Sequence, residues 1–157
     1  MEPALARRGA CFHFTGVRIQ PGKPLVFGEL KRSNSAPGVR RSQRFFGLPG
    51  NPVSSAVTFL LFAAPVLAAL AGSRVSGPRF ALARLSKDTG KHGKPGLTRF
   101  LPADCTFGAA GQRPEVTLVP WQGSGDIAAL ARSNCFLVVP EETSTLEAGA
   151  IVRILLA

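Results

Sequence analysis

The chain has 157 residues, of which 45% are hydrophobic and 18% charged. That balance excludes global disorder and provides core enough for one domain or two small ones. Nineteen Lys and Arg stand against nine Asp and Glu, a formal +10, so the surface suits anionic partners such as nucleic acid, phosphate esters or oxyanions, although 14 of the 19 are Arg, as a GC-rich genome would also produce.

The start, MEPALARRGACFHF, lacks an apolar stretch long enough for a signal peptide, and residues 1–10 read as an atypical beginning. Residues 11–19 read as a strand whose apolar parity switches near Gly16. QPGKP (20–24) is a turn, with Pro21 fixing φ and Gly22 permitting a positive φ. LVFGEL (25–30) returns as a strand. Residues 31–44 form a polar loop with many bases and no acid, and a third strand at 43–48 follows. A helix over 53–71 comes next, with Asn51 at the N-cap, Pro52 at the first helical position and Gly72 just past the end. Pro65 is expected to kink it. Being apolar all round, it must be sandwiched between other elements. It is nearly long enough to span a bilayer, but Ser54, Ser55, Thr58 and Pro65 favour the core of a soluble domain.

After residue 73 the pattern changes. GPRFALARL, GLTRFLPA, EVTLVPW, CFLVVP and AIVRILL are short runs broken by Gly and Pro. With one short helix (GDIAALARS) they predict a small β-barrel or sandwich. Residues 87–96 read as a basic, Gly-rich hairpin loop. The expected organisation is therefore α/β followed by all-β, with a boundary at 72–78. Residues 11–73 form the first part and 74–157 a β-barrel.

Three cysteines, Cys11, Cys105 and Cys135, are odd in number and widely spaced, and His13 and His92 stand alone. Reduced thiols in a cytoplasmic protein and no zinc site are the reading. If strand 11–19 runs up, 25–30 down and 43–48 up, the loops QPGKP and GLPGNP meet at one sheet edge. In an open α/β sheet that is the ligand-binding carboxyl edge. The second loop feeds a helix N-terminus that attracts anions. Gly50 lets a ligand approach, Ser54 adds a hydroxyl and Lys23 a mobile charge. An anion cradle and a rigid turn that only aims the helix are both compatible with this spacing. It is not a P-loop, because GxxxxGK[ST] is absent.

GVRIQPGKPLVFG followed by FGLPGNPVSSAVTF, together with PWQGSGDIAALARSNCFLVVP and LEAGAIVRILLA, closely resembles the C-terminal part of the molybdopterin molybdenumtransferase family, related to the E domain of gephyrin. The resemblance implies a partial three-layer α/β molybdopterin-binding-like domain plus a C-terminal β-barrel. It implies insertion of molybdenum from molybdate into adenylylated molybdopterin, both as substrates, with release of AMP and with Mg²⁺ assisting. The motif prolines fall on Pro49 and Pro52, flanking Gly50 and Asn51, and the basic loop falls on Gln20, Pro21, Gly22, Lys23 and Pro24. Gln20 stands where many relatives have Lys or Arg. Ser124 falls on the Gly-Ser motif of the barrel, and it reads equally as part of a helix start beside Asp126.

The upstream segments that the family needs are not in this sequence, and neither cradle loop carries an acid. The expectation is a C-terminal fragment, inactive alone, whose Mg²⁺ ligands lie elsewhere and whose partner is a second copy or a complementary N-terminal chain. A non-enzymatic scaffold of the same fold is the alternative. A nucleic-acid-binding module is disfavoured by the absence of Tyr and by the single Trp.

Overall fold

Five of the strands close on themselves. In the computed structural model, which describes residues 2–31, 42–75, 77–90, 96–109 and 111–157, β5 (Phe80–Leu85), β6 (Thr98–Thr106), β7 (Glu115–Leu118), β8 (Cys135–Val139) and β9 (Ile151–Leu156) are hydrogen-bonded in the order β6-β7-β5-β9-β8. A further β6–β8 pairing, from Arg99↔Val139 to Ala103↔Cys135, closes the barrel. All five strands lie where the sequence predicts them. Closure removes the free edges that a short open sheet would expose.

The alternation within the strands explains the core. Cys135, Leu137 and Val139 of β8 and Val152 and Ile154 of β9 fill the barrel with Leu101, Ala103 and Cys105 of β6. Phe136 and Leu155, on the opposite parity, face outward with Phe100. That outer face is covered by Val53 and Val57 of the long helix. Strands buried on both faces read as continuous apolar runs, as CFLVV and ILL do. Each buried Val, Leu, Ile or Phe side chain among them contributes roughly 1.5–3 kcal/mol.

The front of the chain departs from expectation. A short helix, α1 (Glu2–Ala6), opens it. The strand predicted over 11–19 divides: β1 (Ala10–Phe14) belongs to one sheet, and β2 (Ile19–Gln20) pairs in parallel with Thr98–Arg99 of the barrel. β1, β3 (Val26–Lys31) and β4 (Ser42–Gly47) form a three-stranded antiparallel sheet in the order β1-β3-β4. The expected parity switch is present as a register shift between Phe12 and Phe14. Gly28 lets the strands carry bulk, because a Cβ there would lie 2.8 Å from the Phe45 ring, which meets Phe12 edge-on at 6.0 Å.

No three-layer α/β arrangement is seen among the described residues. A three-layer arrangement is built on parallel strands with crossover helices, whereas β1, β3 and β4 pair antiparallel. Residues 32–41 of the predicted basic loop, and residues 91–95 of the predicted hairpin loop, lie outside the described residues.

The helix runs continuously over Pro52–Leu70, as α2 (Pro52–Thr58), a π-helical turn (Phe59–Ala63) and α3 (Ala64–Leu70). Pro65 does not break it. Its missing N–H leaves Leu61 O without the usual partner, and the preceding turn widens so that Ala64 N–H reaches Phe59 O. By length and composition this helix could cross a membrane, but Val53, Ser54, Val57 and Thr58 are buried against the protein. The expected complete sandwich is absent among the described residues: Phe59, Leu67 and Leu70 are 40%, 55% and 76% exposed.

Candidate functional site

The loops predicted to share a sheet edge do so. β1 and β4 run parallel to each other with β3 between them, so the segments after β1 and after β4 leave at one end. The sheet being antiparallel, this is not the carboxyl edge of an open α/β fold, and the argument from that edge falls. What organises the loops is the helix that they meet.

Pro49 is buried and Gly50 and Asn51 are exposed. Pro49 O accepts a bond from Ser55 Oγ, and Asn51 O accepts the Ser55 N–H at 2.8 Å. These bonds staple the loop onto the first helical turn. Asn51 occupies the N-cap with an extended backbone, φ −80° and ψ 133°, yet its side chain makes no capping bond. Asn51 thus holds the expected N-cap position without the side-chain bond: Pro52 has no N–H to satisfy, and Val53 N–H is satisfied by Ser124 O at 3.1 Å. Thus Ser124 meets the LPGNP loop through its carbonyl.

Ser124 sits in a second folded loop. Asp126 Oδ1 accepts Ala129 N–H at 2.9 Å and Oδ2 accepts Gln122 N–H at 3.0 Å, which caps α4 (Ile127–Ala131). Bonds from Ala129 and then Gln122 hold the Asp126 carboxyl below its ordinary range. Sequence reading saw this Asp only as a neighbour of Ser124; the Asp three residues before a helical N–H is the signal that finds it.

The QPGKP loop touches the helix one turn further on. Pro21 and Gly22 are buried, whereas Gln20, Lys23 and Pro24 are exposed. The Gln20–Pro21 peptide bond is cis. Gly22 has φ +121°, and a Cβ there would lie 2.7 Å from Thr58 Cγ2. Thr58 cannot turn away freely, because its Oγ1 donates to Ser54 O at 2.8 Å. Lys23 O accepts Val17 N–H at 3.0 Å, leaving the ammonium to solvent. Ser54 is buried, so its side chain belongs to the packed helix face. Gly50 stands apart: no atom lies within 4 Å of where its Cβ would be, and its φ is not in the positive region.

Two loops thus meet at the helix start, joined by a main-chain hydrogen bond, and the third packs against Thr58 at the far end of α2. Lys23 is exposed on the QPGKP loop, and Gly50 has open space on the LPGNP loop. A divalent cation does not fit. All nine carboxylates lie among the described residues, none belongs to the QPGKP or LPGNP loop, and no three His, Cys, Asp or Glu side chains cluster there. Both oxygens of Asp126 are already engaged by N–H groups.

Residues 82–157 match the family model described as the MoeA C-terminal region, domain IV. A molybdopterin molybdenumtransferase of Haemophilus influenzae is 35% identical over 147 residues, covering 90% of this chain and 32% of that protein. Gephyrin of Dictyostelium discoideum is 29% identical, covering 99% of this chain and 23% of its own length. A molybdenum cofactor biosynthesis protein of Pyrococcus furiosus superposes with a TM-score of 0.67 at 28% identity, covering 93% of this chain and 45% of that one. The MoeA protein of Pyrococcus horikoshii gives 0.65 at 25% identity, covering 93% and 32%. The chain spans about a third of the length of the first curated relative it matches.

Proposed function

We propose that this chain, which belongs to the molybdopterin molybdenumtransferase family through its C-terminal region, supplies the anion-holding part of molybdenum insertion. In this reading the barrel (74–157) and the segment before it (11–73) present one cradle. It receives molybdate or the phosphate of adenylylated molybdopterin. Lys23 brings positive charge to it, and Gly50 leaves the room in which the anion sits. Pro49, Pro52 and the Ser124 carbonyl hold the backbone in place, so little ordering remains when a ligand arrives. Gln20 contributes a neutral hydrogen-bonding group at the loop entry.

The observation that carries the reading is the Val53–Ser124 bond. It ties the LPGNP loop to the QGSGD loop of the barrel, two separate parts of the sequence that bear the family resemblance. The magnesium that the resemblance implies finds no ligand set among the described residues. The carboxylates that it needs belong to other segments, in a longer chain or a partner.

The test is AMP release from adenylylated molybdopterin with molybdate and magnesium. The purified chain alone is expected to be inactive, and a chimera carrying it behind the front two thirds of the Haemophilus influenzae relative is expected to turn over. In that chimera Lys23→Ala should weaken substrate binding by about 1–3 kcal/mol, the worth of a charged hydrogen bond, at unchanged melting temperature. Turnover by the isolated chain at about 1 s⁻¹ or more, or a Lys23→Ala chimera that binds like its parent, overturns the reading.

A further inference from the structure

We propose that Arg99 is the seat of a second anion site, which takes a small tetrahedral oxyanion at one end of the barrel. Arg99 sits beside the cradle along the sheet, since it pairs with Gln20, but its side chain takes the parity of the barrel interior. Arg99 shares its strand parity with Leu101, Ala103 and Cys105, which fill the barrel. It opposes Val139 on β8, and it is 2% exposed. A guanidinium carries five N–H donors and cannot discharge by losing a proton. Here Nη2 donates to Thr143 O, while Nε and Nη1 are buried without a partner.

No carboxylate of the chain forms an ion pair with Arg99. All nine Asp and Glu lie among the described residues, and the ion pair found there joins Arg18 to Glu141 at 3.0 Å. The undescribed residues hold Arg, Lys, His and neutral groups but no acid, so they supply no counter-ion either. Burying a charge with unpaired donors is strongly unfavourable, and an external anion is the group that restores the balance. Nε–H and both Nη1 hydrogens are free to meet its oxygens, which is the donor pattern suited to an oxyanion.

The surroundings form a roof. Thr143 belongs to the 140–146 segment, which is held down by Leu146 N–H to Thr89 Oγ1 at 2.9 Å and by Gly96 N–H to Glu141 O at 3.1 Å. A cleft of about 460 Å³ lies beside this segment, bordered by Thr98, Val138, Pro140 and Leu146; Arg99 itself does not line it. Glu141 and Glu142 also border that cleft. Glu141 is neutralised by Arg18. Glu142 is the rival counter-ion, and the experiment separates the two.

The experiment is titration of the purified chain with phosphate and with sulfate, at ionic strength held constant with sodium chloride. It is read by the ¹⁵Nε–¹Hε resonance of Arg99 and by melting temperature. The expected result is saturable movement of that resonance with one site. At a hundredfold excess over Kd, linkage should raise the melting temperature by roughly 5–10 °C. Arg99→Met should abolish the saturable rise, leaving only the general salting effect of these anions, and should melt no lower than wild type in anion-free buffer. Glu142→Gln should leave the anion response intact. An Arg99 resonance that neither anion moves overturns the proposal. So does an equal melting rise in Arg99→Met, or an Arg99 resonance that shifts in Glu142→Gln and then ignores anions. Where Arg99→Met does not fold, the wild-type resonance titration decides.

Discussion

Gly22 and Gly50 belong to the two cradle loops, and the structure assigns them opposite costs when each is changed to Ala. At Gly22 the φ of +121° alone disfavours any L side chain, by about 1–3 kcal/mol for a residue held in such a region. The new Cβ would also stand 2.7 Å from Thr58 Cγ2 and 3.1 Å from Ile19 Cδ1. Thr58 is fully buried and hydrogen-bonded to Ser54 O, so relief requires backbone movement, with an overpacking cost of about 1–3 kcal/mol. Gly22→Ala should therefore destabilise by roughly 2–6 kcal/mol. At Gly50 no atom would be met and φ is not positive. Gly50→Ala should then be neutral, or stabilising by about 0.4–1 kcal/mol through the unfolded chain. Urea unfolding of both variants beside wild type measures the contrast. If Gly22→Ala lies within about 0.5 kcal/mol of wild type, or Gly50→Ala loses more than about 1 kcal/mol, the geometric reasoning is wrong. A stable Gly50→Ala that binds ligand poorly in the chimera would mark Gly50 as space kept for a ligand.

Asn51→Ala should cost less than the usual N-cap loss of about 1 kcal/mol, since the Asn51 side chain makes no cap bond; a full-sized loss in urea unfolding would contradict the structure. Asp126 has its carboxyl held below the ordinary 3.8 by the Ala129 and Gln122 N–H groups. A depressed folded value means that its contribution is complete above the unfolded value and is lost as pH falls through the folded one. Wild type should therefore lose stability below about pH 4 more steeply than Asp126→Asn, and superimposable acid limbs would refute this. Burial raises the Cys105 thiol and, with the charges of Cys105 and Asp104 adding, pushes Cys135 up to about 12, whereas Cys11 is exposed. A disulfide reagent at mildly alkaline pH should thus modify one thiol quickly in the native chain and all three after denaturation; rapid native labelling of Cys135 would overturn that assignment. Leu67 and Leu70 leave an apolar helix face in water, so the pure chain should self-associate, and Leu67→Ser with Leu70→Ser should reduce its light-scattering mass. An already monodisperse wild-type monomer would sink that idea.

The barrel was legible because its strands are short alternating or continuous apolar runs with clear ends. Turn residues separate FALARL, TRFLPADCT, EVTL, CFLVV and IVRILL, and the β6–β8 pairing closes the ring. The front was less legible. Residues 11–19 look like one strand, but the register shift at Phe12–Phe14 lets the chain leave one sheet, and Ile19–Gln20 then joins another; local pattern cannot say which sheet receives two residues. The three-layer expectation came from resemblance, and three antiparallel strands with one helix stand in its place. In the site, the loops and the helix start were readable from Pro and Gly spacing. The partners were not: that Val53 would be satisfied by Ser124, some seventy positions along the chain, is a tertiary fact. Arg99 carried a readable signal in its strand parity, a cation on the inward side of an apolar stripe.

These partners also decide how the LPGNP stretch works. A helix start presents its free N–H groups to solvent or ligand, but here much of that capacity is used by the fold. Pro52 lacks an N–H and Val53 donates to Ser124 O, while Ser55 N–H to Asn51 O is already the first ordinary helical bond. Part of the helix-end attraction for anions is thus removed, and Pro49, Pro52 and Ser55 make the loop rigid. Pro49 and Pro52 fix φ on either side of a Gly whose Cβ position is open, and Ser55 Oγ holds the Pro49 carbonyl. Affinity for an anion at this place must then come in part from side chains brought by other loops, with Lys23 the exposed cation of the QPGKP loop. The backbone defines where the anion sits and Lys23 contributes to how tightly it is held, so substitutions in LPGNP and at Lys23 should separate into effects on stability and effects on binding.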